Sequence, residues 1–323
     1  MQFKSNTIKK LLCTVLACAA ILSCTACSDR EKENKNNSND TSISSSASSN
    51  DESSSSENKT ENKEDKKDKD NKNDKKDENS SSSSEISEVN TNKTVKEKIA
   101  DASKINSDVV GWLTVPNTKI DNEILQGKDN SFYERRDINK NYEWYGCYYA
   151  DYESVVKDKA SLSPNTVIYG HNMEDRPNGK KFAQLMNFLN EDFAKNNPYI
   201  YLETPKEKLT FQVFAVFYTD AIYDSHYAFV NPEKDVKTSK YDNMEAIIED
   251  SKSRSQFIYD VDVNGNDKIL TLSTCTYKYG GEANKEQRFV IQARLLRDGE
   301  TEKPTVSIKK NPSPKEPKFT KEY

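Results

Sequence analysis

The chain has 323 residues, a formal net charge of −5 and 33% hydrophobic residues. Its apolar residues are unevenly spread, because Ile43 and Ala47 are the only ones between residues 28 and 85. That stretch cannot bury enough apolar surface to offset an ordering cost of about 1–2 kcal/mol per residue, whereas the later part can build one core of about 200 residues. An all-globular chain, a fully disordered chain and a polytopic membrane protein are therefore excluded, and the charge offers no basic footprint for nucleic acid.

The first 27 residues have the pattern of an export signal. Three lysines precede an apolar run from Leu11 to Leu22, which is the order of a basic region followed by a hydrophobic one. Extended to Cys27, the run would be about 26 Å long as a helix, which is marginal for a bilayer core of roughly 30 Å. Cys24 and Cys27 each follow residues similar to a bacterial lipoprotein acylation site, so both are lipidation candidates. A lipid anchor, an uncleaved signal anchor and simple secretion remain open, and all three place the rest of the chain outside the membrane.

Residues 28–92 are predicted to form a disordered linker. They are dominated by Ser, Asn, Lys, Asp and Glu and show no hydrophobic periodicity. A coil of about 65 residues has a root-mean-square span of roughly 40–48 Å. Such a linker would tether a domain to the membrane and let it sample the layer above, although a passive stalk fits equally well.

Residues 93–300 are predicted to fold as a mainly β domain. A helix is expected over Val95–Ile105, where apolar residues recur at helical spacing, and two more over Lys181–Leu189 and Asn243–Ser251. Many short strands with few inserted helices favour a barrel or a sandwich. Residues 301–323 are rich in proline and lysine, and we expect a flexible C-terminal tail there. The expected strands are Val109–Val115, Lys119–Leu125, Tyr145–Ala150, Thr166–Tyr169, Leu209–Tyr218, Lys268–Leu272 and Arg288–Leu296.

Few residues are available for metal or nucleophile chemistry. The only histidines are His171 and His226, and the only cysteines outside the first 27 residues are Cys147 and Cys275. A zinc site with His and Cys ligands is therefore hard to assemble, and neither a P-loop nor a Gly-x-Ser-x-Gly elbow occurs. No metal and no other cofactor is expected, which leaves an exported domain with a possible Cys–His pair.

Three reactive side chains lie at predicted strand ends. Cys275 follows an apolar strand, His171 follows another after Gly170, and Arg288 begins a third. A thiolate attacks a carbonyl carbon, and an imidazolium both favours the thiolate and protonates the leaving amine. A guanidinium can bind substrate carbonyls and the developing oxyanion. Each residue alone has an ordinary structural explanation, so only their combination at one rim of a barrel indicates catalysis.

The same segments carry a resemblance to a known family. Thr271–Cys275 reads TLSTC and resembles the Thr-Leu-x-Thr-Cys signature of sortases. Tyr169–Met173, YGHNM, resembles the histidine motif of the class B branch, and Arg288–Val290, RFV, resembles its arginine strand. The flanking segments Asp108–Pro116 and Gly146–Asp151 are similar to class B segments too. The resemblance covers about residues 95–297.

The resemblance implies a sortase-type eight-stranded β-barrel with N-terminal and inserted helices. It implies a cysteine transpeptidase that cuts a sorting signal after threonine near the C-terminus of a surface protein. An amine of a peptidoglycan precursor such as lipid II then accepts the protein, at the outer face of the cell membrane. In this family pattern Cys275 is the nucleophile, His171 the acid and base, and Arg288 the substrate- and oxyanion-binding residue. Thr274 supports positioning and oxyanion stabilisation.

The resemblance gives no role to Cys147, which we expect to be a buried filler, or to His226, which we expect to be structural or at the surface. The long linker and the possible lipid anchor depart from the usual sortase pattern and leave the mode of anchoring open. Three alternatives remain: a cell-wall cysteine peptidase with water as acceptor, a pilin-polymerising sortase, and a tethered binding module without catalysis. The strand-like run before Cys275 favours the transpeptidase, because papain-like wall peptidases usually present their nucleophile at the start of a helix.

Overall fold

The computed structural model describes residues 93–235, 240–280 and 286–319. The predicted export signal over residues 1–27, with Cys24 and Cys27, and the predicted linker over residues 28–92 lie outside the described residues. Within the described ranges, no helix is both long enough and apolar enough to cross a membrane.

Strands form the framework of the domain. Eight of them close into a barrel in which hydrogen-bonded neighbours follow the order β1, β2, β3, β4, β10, β11, β8 and β7, so none of these eight presents a free edge. This arrangement confirms the predicted mainly β, eight-stranded barrel. The strands are β1 (Val109–Thr114), β2 (Asp121–Leu125), β3 (Tyr148–Ala150), β4 (Asn165–Tyr169), β5 (Asn172–Met173), β6 (Lys180–Lys181), β7 (Tyr199–Glu203), β8 (Lys208–Asp220), β9 (Phe257–Tyr259), β10 (Ile269–Cys275), β11 (Gln287–Leu295) and β12 (Ile308–Lys310).

Helices lie at the N-terminus and in the connections. The first, α1, begins after Thr94, whose side chain forms a capping box with Glu97, a pairing that satisfies two amide groups of the first turn. Residues 182–189 fold as a 3₁₀ helix rather than an α-helix, and their largest fully buried side chains are three positions apart, as three residues per turn requires. The α-helices are α1 (Val95–Ile105), α2 (Glu191–Asn196), α3 (Pro232–Asp235) and α4 (Met244–Arg254), and the 3₁₀ helices are Phe182–Leu189 and Ser225–Ala228.

Strand β10 lies between β4 and β11 in the barrel wall. It pairs in parallel with β4 and antiparallel with β11. Ile269, Leu270 and Leu272 are fully buried although they alternate between its two faces. A strand covered on both faces has this continuous apolar run instead of an alternating pattern. The end of β10 therefore extends from a part of the strand that is packed on both faces.

Residues 301–319 pack against the domain, which differs from the flexible tail expected from their composition. Strand β12 pairs with β9, Val306 is buried, and the ring of Phe319 lies 5.1 Å from that of Tyr279. These contacts and the short ladder hold the segment against the domain, although its proline and lysine content gave no sign of a packing partner.

Candidate active site

Strand register brings the predicted site residues to one end of the barrel. Cys275 is the last residue of β10 and lies directly opposite Arg288, the second residue of β11. Directly opposed residues place their side chains on the same face, with Cβ atoms about 4.5–5.5 Å apart. On the other side, Ser273 pairs with Tyr169 at the end of β4, so His171 leaves the barrel at the same rim as Cys275.

A cavity opens at this rim. Its volume is about 440 Å³, within the usual range of small-molecule and peptide sites. Cys275, His171 and Arg288 all line it, together with Thr274, and the segment that follows β8 supplies one wall through residues such as Tyr227. The structure thus brings all four sequence-predicted residues of the folded domain to one place.

The imidazole of His171 is partly buried and oriented by the main chain. Its Nε2 lies 2.8 Å from the carbonyl oxygen of Glu134. Burial lowers the pKa of His171, and the charge of Arg135 lowers it further, although the contact with the Glu134 carbonyl acts in the opposite direction. The neutral imidazole is therefore favoured in the resting protein.

The guanidinium of Arg288 is directed by its neighbours on the strand end. Its Nη1 donates to the main-chain carbonyl of Gln287 at 3.0 Å, and its Nη2 lies 3.6 Å from a carboxylate oxygen of Glu286. Burial alone would lower the pKa of Arg288, but Cys275 and other nearby acidic groups outweigh burial and raise it. The group stays cationic beside the thiol, where it can bind a carbonyl oxygen or an oxyanion.

Thr274 and Gly170 join the two strand ends. The Thr274 hydroxyl donates to the carbonyl of Gly170 at 2.7 Å and is almost fully buried. A Cβ on Gly170 would lie 2.6 Å from a ring atom of Tyr148 and 2.9 Å from one of Phe182, so only glycine fits between the two rings before His171. Because its hydroxyl proton points to Gly170, the side chain of Thr274 contributes to positioning.

The sequence analysis did not identify two residues that follow His171 in the chain. Asn172 and Asp175 both bond to the segment that contains Cys275. Asn172 stands in the quoted YGHNM motif, which was a signal for it, whereas nothing in the sequence singled out Asp175. Their contacts depend on how two distant loops meet.

The other cysteine and the other histidine lie away from the rim. Cys147 is 6% exposed, and burial raises the pKa of its thiol to about 12. His226 is 4% exposed, its Nε2 lies 2.8 Å from a carboxylate oxygen of Asp250, and its ring stacks on Tyr241. Among the residues the structure describes, no group of three or more His, Cys, Asp or Glu side chains is arranged to hold a metal ion.

Comparison with known proteins gives consistent matches. The sortase domain family model matches residues 113–296, which is more than half of the chain. Sortase B of Listeria monocytogenes is 33% identical over 207 residues, which cover 64% of this chain and 77% of that protein.

Solved structures of similar proteins agree. The structure of Clostridium perfringens sortase B matches with a TM-score of 0.52 at 33% identity, covering 61% of this chain and 99% of that one. A Staphylococcus aureus sortase B–substrate complex and a sortase B structure with triglycine each match with a TM-score of 0.52 at 25% identity, covering 64% of this chain and 88% of theirs.

Proposed function

Because this chain belongs to the sortase family of cysteine transpeptidases, and to its class B branch, we propose that Cys275, His171 and Arg288 carry its transpeptidation. The observation that supports this assignment is the single cavity lined by all three side chains. A thiol, an imidazole and a guanidinium together supply a nucleophile, a proton donor and an oxyanion partner. Thr274 acts beside them by holding the strand ends together.

The first half-reaction cleaves the substrate. The thiolate of Cys275 attacks the carbonyl carbon of the threonine in the sorting signal, and Arg288 stabilises the resulting oxyanion. As the intermediate collapses, the C–N bond breaks and the imidazolium of His171 gives its proton to the leaving amine. The product is a thioester on Cys275 and a released C-terminal peptide.

The second half-reaction transfers the acyl group. An acceptor amine attacks the thioester carbonyl, neutral His171 takes the proton from the amine, and Cys275 leaves as thiolate. The favoured neutral state of His171 suits this step, whereas the first step needs the imidazolium, which is the less favoured state of His171. We therefore expect slow cleavage relative to transfer.

The substrate class follows from the family and from the relatives' complexes. The similar Staphylococcus aureus enzyme has been solved with a substrate, and a similar sortase B has been solved with triglycine, a short peptide with a free amine. By analogy, this chain takes a surface protein with a threonine-containing sorting signal as donor. The amine of a peptidoglycan precursor such as lipid II is the acceptor.

The enzyme works in the cell envelope, and the N-terminal segments give it its place there. Residues 1–27 direct export and hold the chain at the membrane, either as a signal anchor or through a lipid on Cys24 or Cys27. Residues 28–92 form the linker and residues 93–300 the catalytic domain. The charged, serine-rich composition of the linker supports a solvated tether that keeps the domain at the outer face of the membrane.

The decisive experiment incubates the enzyme with a library of threonine-containing pentapeptides, with and without triglycine, and follows products by mass spectrometry. We expect an acyl-enzyme on Cys275 and, with triglycine, a ligated product in excess of the hydrolysed one. Omission of the amine should leave slow hydrolysis only.

The Cys275→Ala variant is the control and should give neither product. A hydrolysis rate that triglycine leaves unchanged would instead indicate a cell-wall peptidase. If the Cys275→Ala variant still cleaved the peptides, the assignment of the nucleophile would be wrong.

A further inference from the structure

Two side chains of the short hairpin after His171, in which β5 pairs with β6, hold the main chain around Cys275. We propose that Asn172 and Asp175 are positioning residues for acyl transfer, which fix the end of β10 so that the thiol meets the substrate carbonyl in one orientation. This inference rests on the proposed function, in which Cys275 is the nucleophile.

The contacts form a continuous network. Nδ2 of Asn172 donates to the carbonyl oxygen of Cys275 at 2.8 Å and to Oδ1 of Asp175 at 2.6 Å. Oδ2 of Asp175 accepts from the Thr276 hydroxyl at 3.1 Å and from the Tyr277 main-chain N–H at 2.9 Å. Asn172 is 4% exposed, so its side-chain amide is largely shielded from competition by water.

The network acts on the side of β10 where pairing with β4 has ended, whereas pairing with β11 continues to Cys275. The parallel ladder between β4 and β10 ends at the pair Ser273 and Tyr169, two residues before Cys275. Beyond that pair, the Asn172 amide supplies the donor that a continued β4 would have provided. Asp175 likewise bonds to Thr276 and Tyr277 after β10 has ended, so the two side chains hold the last residue of β10 and the two residues that follow it.

The loop that carries the two residues has an unfavourable backbone. Glu174 has φ of 84° and Asp175 has φ of 44°, a region that residues with a side chain rarely adopt and that persists only where the surroundings hold it. The Asp175 N–H donates back to Oδ1 of Asn172 at 3.1 Å and closes the turn. Because Asn172 directly follows His171, the same turn also links the position of the imidazole to that of the thiol.

The expected effect is on turnover and not on substrate binding. Asn172 and Asp175 lie outside the lining of the cavity, whereas the group they hold is the reacting one. Small misplacements of a reacting group cost up to about a hundredfold in rate. We expect Asn172→Ala and Asp175→Ala to slow acyl-enzyme formation by roughly tenfold to a hundredfold with the donor KM unchanged.

The test measures single-turnover acyl-enzyme formation, donor KM and thermal unfolding in the full chain. Asn106→Ala is the matched control: Asn106 is also 4% exposed, and its amide donates to the Tyr133 hydroxyl at 2.7 Å and to the Ile138 carbonyl at 2.9 Å, away from the cavity. Asp175→Asn keeps one oxygen to accept the Tyr277 N–H and should be slowed less than Asp175→Ala. If either alanine variant fails to fold, the rate of the Asp175→Asn variant still tests the inference.

The inference holds if the Asn172 and Asp175 variants are slowed at unchanged KM while Asn106→Ala forms acyl-enzyme at the normal rate despite a similar loss of thermal stability. It is overturned if all variants lose rate in proportion to stability, if KM changes in place of the rate, or if the rates stay normal. Acyl-enzyme formation by Cys275→Ala would show separately that the proposed function has failed.

Discussion

The two cysteines and two histidines of the described residues occupy opposite environments. Cys275 and His171 lie at the barrel rim, partly exposed, and line one cavity. Cys147 and His226 are buried, at 6% and 4% exposure. The same two residue types are thus present once where substrate can reach them and once where it cannot.

The surroundings also set what each histidine can do. Nε2 of His171 contacts a neutral main-chain carbonyl, which leaves the ring free to gain and lose a proton. His226 instead contacts the charged Asp250, which also binds Arg254 at 2.6 Å and Lys315. Burial alone would raise the pKa of Asp250, but these three bonds hold it well below its usual range. Exposure and the charge of the partner, and not residue type, therefore distinguish the proposed Cys275–His171 pair from the buried Cys147 and His226.

The largest expected effect separates the two thiols. Replacing Cys275 by alanine should reduce acyl transfer by at least about a thousandfold, because the nucleophile is lost. Replacing Cys147 by alanine removes only a small buried side chain and should leave turnover near normal with a modest loss of thermal stability. Peptide cleavage and thermal unfolding of both variants check this, and an inactive but folded Cys147→Ala protein would reverse the comparison.

The second prediction separates the two histidines. His171→Ala should lower turnover by roughly a hundredfold or more, since a proton donor and acceptor is removed, with little change in stability. His226→Ala should leave turnover per folded molecule unchanged and lower the free energy of unfolding by roughly 2 kcal/mol, because Asp250 loses one of its buried partners.

Steady-state kinetics and chemical denaturation of the two histidine variants provide the measurement. If both variants lost turnover at full stability, the prediction that only His171 takes part in the reaction would be wrong.

The smallest expected effect is a shift in the pH dependence of the rate, which tests the environment of His171. In the proposed mechanism the rate requires a thiolate and an imidazolium together, so its pH profile should be a bell with apparent pKa values that belong to the pair. A free imidazole loses its proton at lower pH than a free thiol, and in that order the acid limb follows the pKa of the imidazole. Since burial, with Arg135, lowers the pKa of His171, the acid limb should lie below the ordinary histidine value of about 6.5. Arg135→Gln removes a positive charge that opposes the imidazolium, so it should move the acid limb to higher pH.

The neighbouring variant Arg136→Gln is the matched control and should leave the acid limb in place, because the Arg136 guanidinium is held by the Phe132 carbonyl and lies over the Phe132 ring. Equal shifts in both variants would indicate a general charge effect. An acid limb that stays fixed in Arg135→Gln would show that Arg135 does not act on the imidazole.

Several elements were predictable because their signals are local. The helix Val95–Ile105 has the predicted bounds, since a capping box and apolar spacing act within one segment. Strand β7, Tyr199–Glu203, was not predicted although it closes the barrel between β1 and β8. Its aromatic and β-branched residues next to prolines were a usable signal, but five residues are too few for a clear period. Residues 301–319 were misjudged because composition does not report a docking partner.

By itself, the sequence determined the class of fold, the family, and which thiol, imidazole and guanidinium were available, because these depend on residue identity, spacing and local pattern. Only the tertiary structure decided that His171 bonds to the Glu134 carbonyl, that His226 is locked to Asp250, and that Asn172 reaches the carbonyl of Cys275. These contacts join segments 24 to 103 positions apart in the chain. Burial and hydrogen bonding at such separations depend on how the barrel closes, and no local pattern encodes that.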